Sequence, residues 1–187
     1  MAGIRVIAGE AKGRKLRMVP GEQTRPISDR VKESLFNILG VDIVDSRFLD
    51  LFAGTGSVGI EALSRGAARS VFIDKNRRAV ETVRQNLTIT KFEPRAEILK
   101  RDALTYFESQ PGEPFDYVYI APPQYHGLWL KALERIDANI GWLNPDAWVV
   151  VQIHPREFES CDLSNLLEFD RRQYGSTMLI FYEYPGE

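Results

Sequence analysis

Asp50-Leu51-Phe52-Ala53-Gly54-Thr55-Gly56-Ser57-Val58-Gly59 is the stretch that decides the fold. An apolar run from Phe48 to Phe52 delivers a carboxylate and an aromatic ring into a glycine turn that opens a helix. That is the layout of a nucleotide-type site at the carboxyl end of a strand. As Gly-x-Gly-x-x-Gly alone, the segment suits a dinucleotide cofactor, whose pyrophosphate needs a tight turn and close backbone approach. Asp50 argues otherwise. Four residues before the first glycine, a carboxylate repels a pyrophosphate but pairs with the ammonium of an amino-acid-bearing cofactor, and S-adenosylmethionine carries such an ammonium. The bland reading, an ordinary tight turn packed by Phe52 and Ala53, stays open beside it.

Strands and helices alternate outward from this loop. Val58, Ile60, Ala62 and Leu63 belong to the helix that Gly66 stops, and Ser70 to Ile73 is the next strand. Ala79, Val80, Val83 and Leu87 recur at helical spacing, Glu97 to Leu99 is a short strand, and Ala103 to Glu108 reads as helix. Phe115 to Ile120 is a buried strand, a helix follows around Leu128 to Ile140, and Trp148 to Ile153 is nearly continuously apolar, as expected of a strand covered on both faces. Leu166 to Tyr174 and Thr177 to Tyr184, parted by Gly175-Ser176, read as an antiparallel hairpin at the sheet's edge. Alternation of this kind predicts an α/β fold with a parallel, doubly wound sheet that the closing hairpin makes mixed. Before the first body strand, residues 4 to 19 suit a β-hairpin. Ser28 or Asp29 then caps a helix carrying Val31, Leu35, Phe36, Ile38 and Leu39 and ending at Gly40.

With 187 residues, 44% of them hydrophobic, the chain can bury a core in one domain without metals or bridges. Cys161 is the only cysteine, so no intramolecular disulfide forms and a reducing, cytoplasmic setting is expected. No apolar stretch reaches the ~20 residues of a spanning helix, and no secretory signal opens the chain. The formal net charge is -2, but it is unevenly spread: Arg5, Lys12, Arg14, Lys15, Arg17, Arg25, Arg30 and Lys32 make the first 40 residues basic on an acidic body. A basic surface attracts phosphates; a solvated face is the equal alternative.

In an open sheet ligands bind outside the carboxyl ends of the strands. Asp74 closes the second strand 20 residues beyond Gly54, where a carboxylate accepts hydrogen bonds from ribose hydroxyls. Asp102 follows the third strand, where it can accept the exocyclic amine of adenine, cap a helix, or do both. The fourth strand runs into Ala121-Pro122-Pro123-Gln124-Tyr125. Two prolines fix a rigid backbone whose carbonyls can only accept. Methyl transfer to an exocyclic amine needs such acceptors, which hold the amine hydrogens and aim the nitrogen lone pair. Tyr125 could stack a base taken out of its helix. His126 and His154 lack metal-ligand neighbours and read as structural, no metal is expected, and Trp129, Trp142 and Trp148 read as packing residues.

Together these features resemble the class I S-adenosylmethionine-dependent methyltransferases that act on exocyclic amines. Arg5-Val6-Ile7-Ala8-Gly9, Lys12-Gly13-Arg14-Lys15-Leu16 and Arg25-Pro26-Ile27-Ser28-Asp29-Arg30-Val31 through Asn37 narrow the likeness. With Leu49 to Gly56 and Gly59 to Gly66, they are similar to the RsmD family, the guanine-N2 methyltransferases of bacterial small-subunit ribosomal RNA. The resemblance implies a Rossmann-like methyltransferase domain over 25–187 with a seven-stranded sheet, preceded by a basic, RNA-contacting hairpin over 1–24. It implies that Asp50, Gly54 and Gly56 hold the methionine part of the cofactor, Asp74 the ribose, and Asp102 with Ala103 the adenine. Phe52, Ala53 and Thr55 in the loop and Lys75 beside Asp74 complete that set. Arg5, Lys12, Arg14, Lys15, Arg25 and Arg30 are the expected RNA contacts, and ribosomal RNA or the 30S assembly particle is the expected partner of a monomeric protein.

At the fourth strand the family pattern is Asp-Pro-Pro followed by Phe or Tyr, whereas this chain has Ala121-Pro122-Pro123-Gln124. Losing a side-chain acceptor can cost orders of magnitude in rate, since each ~1.4 kcal/mol is tenfold. Three readings follow. Backbone carbonyls at Ala121 or Pro122, with the Gln124 amide and Tyr125, keep the enzyme working. Alternatively, the chain binds cofactor and RNA without efficient transfer, as an assembly factor. Or it methylates another amine, adenine N6 in DNA or glutamine in protein.

Overall fold

The computed structural model describes residues 3–22 and 26–187. Within them seven strands form one sheet: β1 (Arg47–Asp50), β2 (Arg69–Asp74), β3 (Ala96–Lys100), β4 (Phe115–Ile120), β5 (Leu143–Ile153), β6 (Leu167–Tyr174) and β7 (Thr177–Tyr184). Their spatial order is β3-β2-β1-β4-β5-β7-β6. The first five are parallel; β7 runs antiparallel to β5, and β6 antiparallel to β7. The expected mixed, doubly wound sheet is what forms. Its order reverses between β1 and β4, where Asp50 pairs with Tyr119, so the crevice opens over these two strands.

Among the described residues five α-helices cover the sheet: α1 (Asp29–Leu39), α2 (Ser57–Ser64), α3 (Arg77–Thr90), α4 (Ala103–Tyr106) and α5 (Leu128–Asp137). Strand residues alternate faces. Leu49, Leu51, Ile73, Val118 and Val151 pack with Trp129, Leu133 and Ile136 of α5 on one side. On the other, Phe48, Tyr117, Tyr119 and Val150 pack with Val31, Leu35 and Phe36 of α1, while Phe72 meets Ile60 of α2 and Val83 of α3. Ser28 is the cap of α1, its hydroxyl accepting from Val31 N–H at 3.3 Å, and Gly40 ends the helix with a positive φ.

Three elements differ from the sequence reading. β5 begins at Leu143 rather than Trp148: Pro145 and Asp146 hide its first half, and a register shift between Phe115 and Tyr117 absorbs the irregularity. The helix after Leu128 stops at Asp137, whose carboxylate turns to bind the backbone N–H groups of Ser164, Asn165 and Leu166. The N-terminal hairpin is reduced to a single bridge, Arg5 opposite Lys15, flanked by backbone bonds between Ile4 and Leu16 and between Val6 and Arg14. Its inward residues Ile4, Val6, Ala11 and Leu16 share a core with α2 and α3.

Candidate active site

The site is built where the carboxyl ends of β1, β2, β3, β4 and β5 meet the loops that follow. Gly54 and Gly56 both adopt positive φ, at 56° and 79°, which a side chain resists. Gly56 N–H closes the turn on the Ala53 carbonyl at 2.7 Å, and Ala53 N–H reaches the Ile73 carbonyl of β2. Gly59 has a different role: a Cβ there would lie 2.4 Å from the Phe72 ring, so glycine lets α2 press onto β2.

Asp50 is almost wholly buried and accepts from Gly59 N–H at 3.0 Å. Burial pushes its carboxyl up to about 7, the Gly59 bond opposes this, and the charge of Asp74 adds to it. A buried carboxyl so close to neutrality is short of a cation. Asp74 is tied down on both oxygens, accepting from Gly54 N–H at 3.0 Å and Asn76 N–H at 2.9 Å. Each carboxylate oxygen still has a lone pair to offer. Asp102 caps α4 through Leu104 N–H at 2.8 Å on one oxygen, and the residue lines the cleft.

Two adjoining cavities share Phe52, Gly54, Glu22 and Ala121 in their walls. One is framed by Asp74, Lys75, Asp102, Ala103 and Pro123, with Leu104 and Leu128 in its wall. The other is framed by Asp50, Ala53, Thr55, Pro122 and Gln124, and runs on to Tyr119 and Gln152. The fold therefore gathers around one crevice the loop and strand-end positions that the sequence scatters, apart from Gly56 and Tyr125. Gly56 lines neither cavity, since its role is the turn itself. Tyr125 stands at the rim, 63% exposed with φ of 65°. Its N–H donates to Glu157 at 2.6 Å and its ring lies 5.8 Å from that of His154.

The expected RNA-contacting residues spread along a flank rather than around the cleft. Arg5 pairs with Asp29 at 2.9 Å; Lys12, Lys15 and Arg30 are exposed; Arg14 reaches the Ile89 carbonyl near the end of α3. Arg25 lies outside the described residues. The hairpin tip is bound to the last residue of α2, with Glu10 N–H on the Ser64 carbonyl and Ala11 N–H on its hydroxyl. Ser57, the first residue of that helix, lines the cleft. A helix of this length spans about 12 Å, which separates Lys12 and Arg14 from the chemistry. Lys32 must be removed from the basic surface: it is buried against Glu61 and donates to the Arg5 carbonyl at 2.6 Å.

Reasoning from the sequence missed Met18, Val19 and Glu22, which carry the N-terminal segment into the cavity wall. Burial, reinforced by Asp74, pushes the Glu22 carboxyl up. It also missed Tyr119 and Gln152. The only signal they left was one amide near the end of an otherwise apolar strand.

The family described as "Conserved hypothetical protein 95" matches residues 4–183. The chain belongs to this family. Among relatives, the ribosomal RNA small subunit methyltransferase D of Escherichia coli (strain K12) is 38% identical over 149 residues, 80% of this chain and 74% of its own. A Bacillus subtilis relative named "Putative rRNA methyltransferase YlbH" is 37% identical over 98% of this chain and all of its own. The solved structure "Putative methyltransferase yhhF from Escherichia coli" superposes with a TM-score of 0.86 at 33% identity, covering 98% of each chain. The resemblance to the RsmD family thus holds over most of the chain, and the fold matches that of this solved structure over 98% of it. Among the described residues no helix is long and apolar enough to cross a membrane, and no three His, Cys, Asp or Glu side chains cluster as metal ligands do.

Proposed function

We propose that the protein is an S-adenosylmethionine-dependent methyltransferase acting on the exocyclic N2 amine of a guanine in small-subunit ribosomal RNA. One observation carries this reading: a glycine loop braced by Asp74 faces the Ala121-Pro122-Pro123 strand end across a single cleft. Its setting is a family whose relatives bear ribosomal RNA methyltransferase names. The donor set fits the cofactor. Asp50 is a buried carboxyl in need of a cation and meets the ammonium, Asp74 keeps lone pairs for ribose hydroxyls, and Asp102 with Ala103 borders the adenine.

When bound, S-adenosylmethionine supplies an electrophilic methyl group on a sulfonium. The protein's part is positioning. Phe52, Leu104 and Leu128 give one arm of the cleft an apolar wall. Ala121 and Pro122 offer backbone carbonyls to the amine hydrogens, and the surplus proton leaves to water. Tyr125 at the rim stacks the extruded base, and Arg5, Lys12, Arg14, Lys15, Arg25 and Arg30 meet RNA phosphates along the flank. Nothing in this scheme requires a metal, a membrane or a second copy of the chain, and a ribosomal RNA substrate implies work in the cytoplasm.

The test is transfer of radiolabel from the cofactor to naked ribosomal RNA, to small-subunit particles lacking the modification, or to duplex DNA. Label on guanine N2 in the ribosomal RNA supports the proposal, and label on adenine or protein replaces it. A specific observation favours a second reading, a cofactor- and RNA-binding assembly factor: Ala121 brings no side-chain acceptor to the cleft. Cofactor uptake without transfer to any of the three substrates selects that reading. Ala121→Asp separates a weakened site from a rebuilt one, since gain of rate means the first and loss means the second.

A further inference from the structure

Tyr119 and Gln152 form the polar floor of the cleft beneath Ala121. Tyr119 pairs with Asp50 on one side, and on the other β4 and β5 run in register from Tyr119 opposite Val150 to Ile120 opposite Val151. Ala121 and Gln152 are the residues that follow on the two strands, and both line the same cavity. The Tyr119 hydroxyl donates to the Gln152 amide oxygen. Burial and the charge of Asp50 hold that hydroxyl well above the usual phenol range, so it stays a donor. Both residues line the cavity that Ala121, Pro122 and Gln124 enclose, and neither lines the one framed by Asp74 and Asp102.

An amide oxygen has two acceptor sites and Tyr119 uses one; the amide nitrogen has two hydrogens and finds no partner among the described residues. Gln152 therefore presents a fixed acceptor–donor edge to the cleft, beside a position where this chain carries a methyl group. The amine edge of guanine is its complement: N2 donates and the adjacent ring nitrogen N3 accepts. Amide side chains read such edges bidentately elsewhere, as with the N6/N7 edge of adenine.

We infer that Gln152, held in orientation by Tyr119, reads the target base, its amide oxygen taking one hydrogen of the exocyclic amine and its amide nitrogen donating to the neighbouring ring nitrogen. This rests on the guanine reading above and deepens it. The amine's two hydrogens then have two acceptors, the strand-end carbonyl and Gln152, without an acidic side chain at position 121. Gln152 is the residue in contact with substrate; Tyr119 is a positioning residue.

The experiment uses the full chain and a short single-stranded RNA carrying one 2-aminopurine, which keeps the N2 amine and N3 and reports capture by its fluorescence. Competitor RNAs carry guanine or 3-deazaguanine at the same place. Wild type is expected to bind the guanine competitor roughly ten- to hundredfold better than the 3-deaza one. Gln152→Glu keeps an acceptor but has no donor, so it should bind the two competitors alike, and Gln152→Met should bind both weakly. Tyr119→Phe should narrow the guanine preference while raising KM more than it lowers kcat. Equal competition by the two RNAs against wild type overturns the inference, with no variant needed. So does Gln152→Glu retaining the full preference. Guanine preference without methyl transfer sinks the proposed reaction but leaves this recognition standing, whereas transfer to guanine without the preference does the reverse.

Discussion

The Lys32 ammonium lies 3.5 Å from the Glu61 carboxylate with both side chains buried to within 1% of full enclosure. Glu61 also accepts from Ile7 N–H at 2.9 Å, Ala8 N–H at 3.1 Å and the Arg65 guanidinium at 3.0 Å. Lys32 donates to the Arg5 carbonyl and, at 3.3 Å, to the Ser57 hydroxyl. Burial pulls the Lys32 ammonium down from its usual range, and Glu61 opposes this. One buried pair thus fastens the N-terminal segment to α1 and α2, and so fixes the wall that Met18, Val19 and Glu22 give the cleft.

Glu61→Ala leaves a buried cation and two backbone donors without their acceptor. The expected cost is about 3–5 kcal/mol, read as a shift in the denaturant midpoint at constant slope. Glu61→Gln keeps an acceptor but loses the charge and should fall between. A loss below about 1 kcal/mol for the alanine variant would mean that water, rather than this network, satisfies the segment.

Asp50 ties stability to pH and, as the proposed partner of the cofactor's ammonium, should tie cofactor uptake to it as well. Its folded-state value of about 7 stands above the ordinary 3.8, so the folded protein holds a proton that the unfolded chain has released across that interval. The contribution to stability is fully present below the lower value and is lost as pH rises through about 7. Asp50→Asn should therefore be the more stable protein at pH values above that range. An ammonium selects the ionised carboxyl, so affinity for S-adenosylmethionine should rise about tenfold from roughly pH 6 to pH 8. Calorimetry at the two pH values checks this, and the asparagine variant should bind weakly and without that slope.

Gly59→Ala drives a methyl group into the Phe72 ring, 2.4 Å from its nearest atom. Overpacking of this kind costs about 1–3 kcal/mol and moves the amide that Asp50 relies on. Thermal unfolding should come several degrees earlier, and cofactor affinity should drop with it. Gly54→Ala, by contrast, meets no atom within 4 Å and is strained only by its φ of 56°.

Lys12 and Arg14 sit at the far end of α2 from the cleft. Replacing both with alanine should weaken RNA binding and lower the dependence of log K on log salt by about 0.7 for each phosphate that is no longer neutralised. Cofactor affinity measured by calorimetry should not change. An unchanged salt slope would limit the RNA footprint to the cleft rim.

Local signals carry much of the site. Asp74 and Asp102 are legible in the sequence because each follows an apolar run and does a local job, one bracing the Gly54 turn and the other capping α4. Gln152 is not, because an amide in a continuous apolar strand says nothing until its neighbour across β4 is known. Lys32 misleads for a related reason: its charge counts the same in a sequence whether it faces water or Glu61. The place of Tyr125 is not legible either: it has a positive φ and stands at the rim, while its neighbour Gln124 lines the cleft.

The alternation of strands and helices, the glycine loop and its carboxylates are all readable from residue order, because they follow from short-range periodicity and turn chemistry. Which charges are buried, and which side chains meet beside position 121, emerge only once the chain has folded. Those outcomes depend on strand order and register, which set Asp50 opposite Tyr119 and put Gln152 two residues beyond Val150, the partner of Tyr119 on β5, and no local interaction encodes that pairing.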